Sequence, residues 1–569
     1  MLTKKIWRAT NAGMAAIAGV TAVAAVAAVL AAGAITAAPA AALPSAMLAG
    51  QVSSAEEGAM EGVVISARKD GSTITVSVMS DASGHFAFPA AKLEPGRYTF
   101  KARAVGYDLE GAPAAEVAAD HASRIDLVLK KTKDLSAQLT NAEWLLSMPG
   151  TEQQKKFLLN CTGCHTLERI VKSTHDAAGF AQVIQRMSGY YPGSTPARPQ
   201  RLHGDFTRDR SHGEDMQKTT AWLASINLSR QSTWAWPLKP LPRLTGRSTR
   251  VVITEYDLPD PLAQPHDVVL DHGGNVWFSD FGQMFLGKLD PATGKVTRFA
   301  VPENKQGFPV GALDLEVDSH DNLWIGMQYQ AEVARFDQKS AQFRTWPIPK
   351  EWDSDGAQFG HLAVAGADAD GKVWIKNSDG TKIYRLDLAS DKMEDLGAPK
   401  DPATGKKIGT YGLFSDAQNN VYLLNFSAGN IGRIDAKTKM LTVYPTPTPN
   451  SHPRRGRVDA QGRLWFGEYL GDAIGMLDPK AGSIKEWKVP TPWSSSYDAA
   501  ADRYGDAWTG SMSTDRVSRL DIAGGQYTEY QLPRPTNIRR VFIDDRKKPA
   551  TLWVGSNHGA SIVKVEPLD

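Results

Sequence analysis

Seven short stretches decide the reading of this chain: NVWFSD at 275–280, NLWIGM at 322–327, KVWIKN at 372–377, NVYLLN at 420–425, RLWFGE at 463–468, DAWTGS at 506–511 and TLWVGS at 551–556. Each sets one aromatic residue among apolar neighbours: Trp277, Trp324, Trp374, Tyr422, Trp465, Trp508 and Trp553. These aromatics recur every 43 to 50 residues, the period of a four-stranded blade. In six units an aspartate stands six residues earlier (Asp271, Asp318, Asp368, Asp416, Asp459, Asp502), where a turn would end the preceding strand. Each unit also has an outer strand ending at proline, such as VTRFAVP at 296–302 and YTEYQLP at 527–533. The first of these, ITEYDLP at 253–259, precedes the first aromatic strand, and the last unit lacks one. Residues 250–569 therefore predict a seven-bladed β-propeller whose N-terminal strand completes the seventh blade and removes open sheet edges.

Upstream, residues 133–229 read as a small α-helical domain. Thr151-Glu152-Gln153-Gln154 is a capping box opening a helix that runs into Cys161. DAAGFAQVIQRM at 176–187 puts Phe180, Val183 and Ile184 on one helical face, and a closing helix carries Met216, Trp222 and Leu223. A Pro/Arg/Gly-rich loop at 188–213 lies between them, and 230–249 reads as a linker. Residues 46–131 alternate polar and apolar side chains, with Ile74, Val76 and Val78 on a period of two, between turns at Asp81–Gly84 and Glu94-Pro95-Gly96. That is the pattern of half-buried antiparallel strands in a β-sandwich.

The first 42 residues hold Lys4, Lys5 and Arg8, then an uncharged Ala-rich run with Ala40-Ala41-Ala42 as a cleavage site. This is the order of an export signal. The apolar run also exceeds the roughly 20 residues that span a bilayer, so a retained membrane anchor is the alternative. A periplasmic or exported chain, free or anchored, is the expected location. Lys+Arg 64 against Asp+Glu 62 leaves a net charge of +2, which gives no field for nucleic acid.

The only cysteines, Cys161 and Cys164, form CTGCH with His165. A redox dithiol, half a zinc site, a bare disulfide and a covalent haem are the possible readings. Zinc needs two more ligands at suitable spacing. A thioredoxin-like dithiol needs a βαβ context, whereas these flanks are helical. A bare disulfide leaves His165 unused. In an exported chain CxxCH is the attachment signature of one covalent haem c, and that reading is preferred.

The same region, with CTGCHTLERI and Gln185-Arg186-Met187, resembles small cytochromes c over roughly 95 residues. That resemblance implies His165 and Met187 as the two iron ligands, with Met216 as the competing sixth ligand. His175, His203 and His212 are weaker candidates, and the plainer reading of either methionine is core packing. Residues 46–131 resemble the carboxypeptidase regulatory-like (transthyretin-like) sandwich, on Gly50-Gln51-Val52, Ser80-Asp81 to Phe86, Pro95–Tyr98 and Gly106-Tyr107. Such modules imply a structural or docking role, with His85 and His121 at the surface.

NIGRIDAKTKMLTVYPTPTPN at 430–450 and RLWFGEYLGDAIGMLDPKAGSIKEWKVPTP at 463–492 resemble the streptogramin (virginiamycin B) lyase propellers. That family implies an elimination driven by a histidine base and Mg²⁺ near acidic residues. His266, Asp280 and Glu468 match parts of the set, but Gln264, Arg454, Tyr497, Arg539 and Arg540 stand where it needs acids or histidines. Lyase activity is not expected, because no two adjacent blades hold the full set. Arg454, Arg455, Arg457, Arg539 and Arg540, together with His361 and Tyr411, instead suggest a mouth for an anionic ligand.

The expected function is periplasmic electron transfer by haem c, with the propeller binding a small-molecule substrate or a redox partner protein. The alternatives are a metal-dependent lyase or lactonase-like propeller enzyme with an accessory haem domain, and a non-enzymatic redox-sensing scaffold.

Overall fold

The structure, a computed structural model, describes residues 46–229 and 231–569; the segment expected to be an export signal or anchor lies outside the described residues. Among the described residues no helix is long and apolar enough to cross a membrane.

Six consecutive four-stranded antiparallel sheets begin at Pro265–Leu270, Leu315–Val317, Phe359–Ala363, Thr410–Ser415, Pro453–Val458 and Ser496–Ala501. They are blades one to six. The seventh consists of Ile538–Asp544, Thr551–Ser556 and Ser561–Pro567, closed by Val251–Asp257. That N-terminal strand pairs along its whole length, from Val251 opposite Pro567 to Asp257 opposite Ser561. The predicted closure is present. In four units the recurring aspartate does more than end a strand, since its carboxylate accepts the indole N–H of the buried tryptophan: Asp271 from Trp277 at 3.0 Å, Asp318 from Trp324 at 2.9 Å, Asp459 from Trp465 at 2.8 Å and Asp502 from Trp508 at 3.0 Å. A buried indole N–H needs such a partner. In the third blade Trp374 bonds the Asn419 carbonyl at 2.9 Å instead, because Asp368 sits in a 3₁₀ turn and takes the Ser319 hydroxyl.

Residues 46–131 form the sandwich, its core built from Leu48, Val52, Ile65, Phe86, Phe88 and Phe100. Gly50 is required, since a Cβ there would lie 1.7 Å from the Ile125 carbonyl oxygen. Periodicity did not reveal one feature of this domain. Ile74–Met79 pairs with Val251–Asp257, Val78 opposite Val252 through Ile74 opposite Tyr256, so one eight-stranded sheet runs from the sandwich into the seventh blade.

The helical domain contains α1 (Asn141–Ser147), α2 (Glu152–Leu159), α3 (Glu168–Val171), α4 (Ala177–Ser188) and α5 (Met216–Ile226). The Thr151–Gln154 capping box makes both of its bonds, and a second box, Thr140 with Glu143, starts α1. The expected linker is corrected to a packed seam. Trp234 and Trp236 lie 5.0 and 6.0 Å from the buried Trp144. The Lys239 and Leu241 amides donate to Ser147 at 2.8 Å and Glu143 at 2.7 Å, and Arg243 reaches Glu61 and Glu57 of the sandwich.

Candidate functional site

The cysteine loop follows directly from the end of α2. The Cys161 amide donates to the Leu158 carbonyl at 2.9 Å, and the Thr162 hydroxyl to the Leu159 carbonyl at 2.8 Å. Both cysteines are free thiols. Burial pushes the Cys161 thiol up to about 12, away from the thiolate that a nucleophilic redox cysteine needs. His165 places Nδ1 2.9 Å from the Thr166 carbonyl oxygen. A carbonyl only accepts, so Nδ1 carries the hydrogen and Nε2 keeps its lone pair. Burial also lowers the pKa of the ring, favouring that neutral form.

Cys161, Cys164, His165 and Met187 line one cavity of about 370 Å³. Its apolar walls include Phe157, Phe180, Ile184 and Leu223, and Arg169, Arg186 and Arg210 also border it. Two unbonded thiols, an imidazole lone pair, a thioether and apolar walls make a donor set that fits haem c, and the arginines suit its propionates. Met216 packs against the helical core and does not line the cavity. His175 and His212 line it, while His203 stacks on Phe308 at 4.1 Å and pairs with Asp355 at 3.4 Å.

The helical domain lies on the propeller face, and the propeller side chains hold the cysteine loop. Arg539 Nη2 donates to the Gly163 carbonyl at 2.9 Å, and Asn537 Nδ2 to the Thr162 carbonyl at 3.2 Å. His558 Nε2 lies 3.4 Å from the Gly163 oxygen. The Tyr469 hydroxyl bonds Leu159, and Tyr191 bonds Phe281. Sequence reasoning missed His558 and Asn537, because nothing local to them signals a partner nearly 400 residues away.

The proposed arginine mouth is corrected by this packing. Arg455, fully buried, makes two 2.9 Å bonds to Asp267 and also pairs with Asp314. Arg540 bonds Asp267 and Glu316, each at 2.9 Å, and Arg457 lies 3.4 Å from Glu316 and 3.6 Å from Asp498. These charges satisfy one another. Arg454 differs: its guanidinium sits 4.1 Å from the Tyr497 ring, 4.5 Å from Tyr469, 4.6 Å from Tyr411 and 4.7 Å from Phe426.

His266 is fully buried, with Nδ1 bonded to Asp267 at 2.8 Å, and burial takes its pKa down to about 4. Asp280 is a hydrogen-bonded loop acid, accepting from the Gly282 and Gln264 amides at 2.8 and 3.1 Å; burial raises it to about 6. Glu468 stands apart in the fifth blade, accepting from Ser451 at 3.0 Å. Among the described residues no cluster of three or more His, Cys, Asp or Glu side chains is placed to hold a metal ion.

Residues 399–568 match the virginiamycin B lyase family, and residues 47–130 match the carboxypeptidase regulatory-like domain. Neither match takes in residues 131–398. No curated protein matches the chain. Among solved structures, a streptogramin B lyase is 22% identical with a TM-score of 0.47, covering 57% of this chain and 100% of its own. Virginiamycin B lyase from Staphylococcus aureus is 20% identical with a TM-score of 0.47, covering 56% and 99%. The chain thus joins a virginiamycin B lyase-like propeller to a carboxypeptidase regulatory-like sandwich.

Proposed function

We propose that residues 133–229 form a c-type haem domain and that the chain is an exported, periplasmic electron-transfer protein. The convergence of Cys161, Cys164, His165 and Met187 on one cavity supports this reading above all. Haem c held there supplies one-electron exchange at its iron. The two thiols would carry the thioether links, and His165 Nε2 and Met187 Sδ would be the iron ligands. The Thr166 carbonyl fixes the imidazole tautomer, a role that outer partners of metal-bound histidines commonly fill. Phe157, Phe180, Ile184 and Leu223 would give the porphyrin apolar walls to pack against. The propeller and the sandwich serve as a rigid frame for the cysteine loop, and the electron partner is a redox protein or a small molecule.

The test is expression of the full chain in a host that attaches haem c. The expected result is a Soret band, a reduced-minus-oxidised difference spectrum and a peptide over 157–171 heavier by one haem. A colourless protein with an unmodified peptide would refute the proposal.

A further inference from the structure

The cavity that holds Cys161, Cys164, His165 and Met187 is bordered by charge of one sign. Arg169, Arg186 and Arg210 line it, and no aspartate or glutamate does. Arg210 is committed inward, its Nε and Nη2 donating to the Met187 and Tyr190 carbonyls, each at 3.2 Å. Arg169 on α3 and Arg186 on α4 are exposed. Arg201, on the 188–213 loop, is exposed too, and its guanidinium lies 5.4 Å from the ring of Tyr190, another cavity residue. Among the described residues none of these three exposed arginines has an ion-pair partner. The acids near them in sequence are engaged elsewhere: Glu168 with Lys172 at 2.6 Å, Asp176 with the Gly179 amide at 2.7 Å and Asp209 with the Ser211 amide at 2.8 Å.

Three elements thus each place one unpaired guanidinium around a single opening, on a chain whose net charge is only +2. Pro196 and Pro199, also exposed and lining the cavity, add a small apolar surface. The cysteine side is closed, because Asn537 and Arg539 of the propeller hold the Thr162 and Gly163 carbonyls. A protein that exchanges electrons with this cavity therefore meets the arginine rim and not the propeller. Unpaired like charges around an opening repel one another and steer the opposite charge toward it. The three share no hydrogen-bond partner, so they suit carboxylates spread over a partner's face, and arginine is enriched at such interfaces.

We propose that the rim of Arg169, Arg186 and Arg201 is the docking surface for an acidic redox protein. The proposal rests on the haem reading and names the class of its partner. The exchange moves one electron between the partner's redox centre and the iron, with no bond made and no proton transferred. The haem-loaded full chain is reduced, and its oxidation is followed by stopped flow with ferricyanide, an anion, and with tris(phenanthroline)cobalt(III), a cation. A glutamate polymer stands in for the acidic face of the partner.

The expected result is a ferricyanide rate that falls about tenfold between roughly 10 mM and roughly 0.5 M salt, while the cobalt rate does not fall. A polymer of about 20 glutamates should slow ferricyanide at low salt and leave the cobalt rate unslowed. Arg169→Gln combined with Arg186→Gln, and separately Arg201→Glu, should each shrink the salt response about threefold. Rates that ignore the sign of the oxidant, or variants that keep the full salt response, would overturn the proposal. So would a salt-sensitive ferricyanide rate that the polymer leaves unchanged, since the rim would then belong to small anions. A chain without a Soret band would sink the haem reading and this proposal with it, whereas every other overturning result leaves the band in place.

Discussion

Arg539, on the first strand of the seventh blade, donates to the carbonyl of Gly163, one of the two residues between the cysteines, at 2.9 Å. Its Nε is fixed by Asn537 Oδ1 at 2.5 Å, and the side chain is 4% exposed. The shape of the loop thus depends on the propeller. Arg539→Met removes a charge-assisted bond and leaves the half-buried Gly163 carbonyl with only the longer 3.4 Å approach of His558, so urea unfolding of the full chain should show a loss of about 1–2 kcal/mol.

Arg455 is the hub of the buried charges, holding Asp267 and Asp314 together. Arg455→Met leaves two buried carboxylates near one another, with Arg540 as the one arginine still paired with Asp267 beside the His266 hydrogen bond. The expected cost is about 3–5 kcal/mol. Adding Asp314→Asn should recover part of it, and a double-mutant cycle measured by chemical denaturation gives the coupling.

The shared strand makes a mechanical prediction. Thr254 faces Lys564 in the propeller and Val76 in the sandwich. Thr254→Pro removes a ladder donor and should cost about 3 kcal/mol or more. Hydrogen exchange should then rise in both Ser561–Pro567 and Ile74–Met79, because one strand serves both ladders. Val76→Pro should raise exchange only on the sandwich side.

The blades were legible because their aromatic strands repeat, and closure by Val251–Asp257 followed from one strand appearing early and one missing late. The cysteine cavity was legible for the same kind of reason: CxxCH and the residues around Met187 are local signals. What stayed hidden is long-range. Nothing near Ile74 marks it as a partner of Tyr256, and nothing near Trp234 or Trp236 announces that they pack on Trp144. The arginines of the mouth looked available because their acids, Asp267, Asp314, Glu316 and Asp498, lie in other blades. A sequence displays charges, but only the ring shows which of them cancel.

Glu468 gives the chain a pH dependence of definite sign. Burial first, then the charge of Glu486, push its carboxyl up to about 9 from 4.5, and one of its oxygens has no partner. Between those values the folded chain keeps a proton that the unfolded chain releases, so stability is fully present below pH 4.5 and falls as pH rises toward 9. Glu468→Gln should flatten that limb, with a gain on the order of 2 kcal/mol near pH 9. The acid limb has another origin. Burial holds His266 and His361 near 4 and His558 near 3. Their contribution is present above pH 6.5 and is lost as pH falls, and the variant should leave it unchanged. Thermal unfolding from pH 4 to 9 checks both limbs.

Met187 and Met216 are separated by their positions. Met187 is in the last turn of α4 and lines the cavity, and its carbonyl is held by Arg210 Nε at 3.2 Å. Met216 opens α5 and packs into the helical core. On the proposed reading, Met187→Leu preserves volume but removes the thioether, while Met216→Leu changes packing alone. Haem-loaded Met187→Leu should lose its six-coordinate low-spin spectrum and show a shifted reduction potential. A methionine ligand raises the potential relative to histidine, so any histidine capture in the variant should lower it. Met216→Leu should leave spectrum and potential unchanged. The opposite pattern would move the ligand to Met216. No spectral change in either variant would direct the assignment to His175 or His212, which line the same cavity.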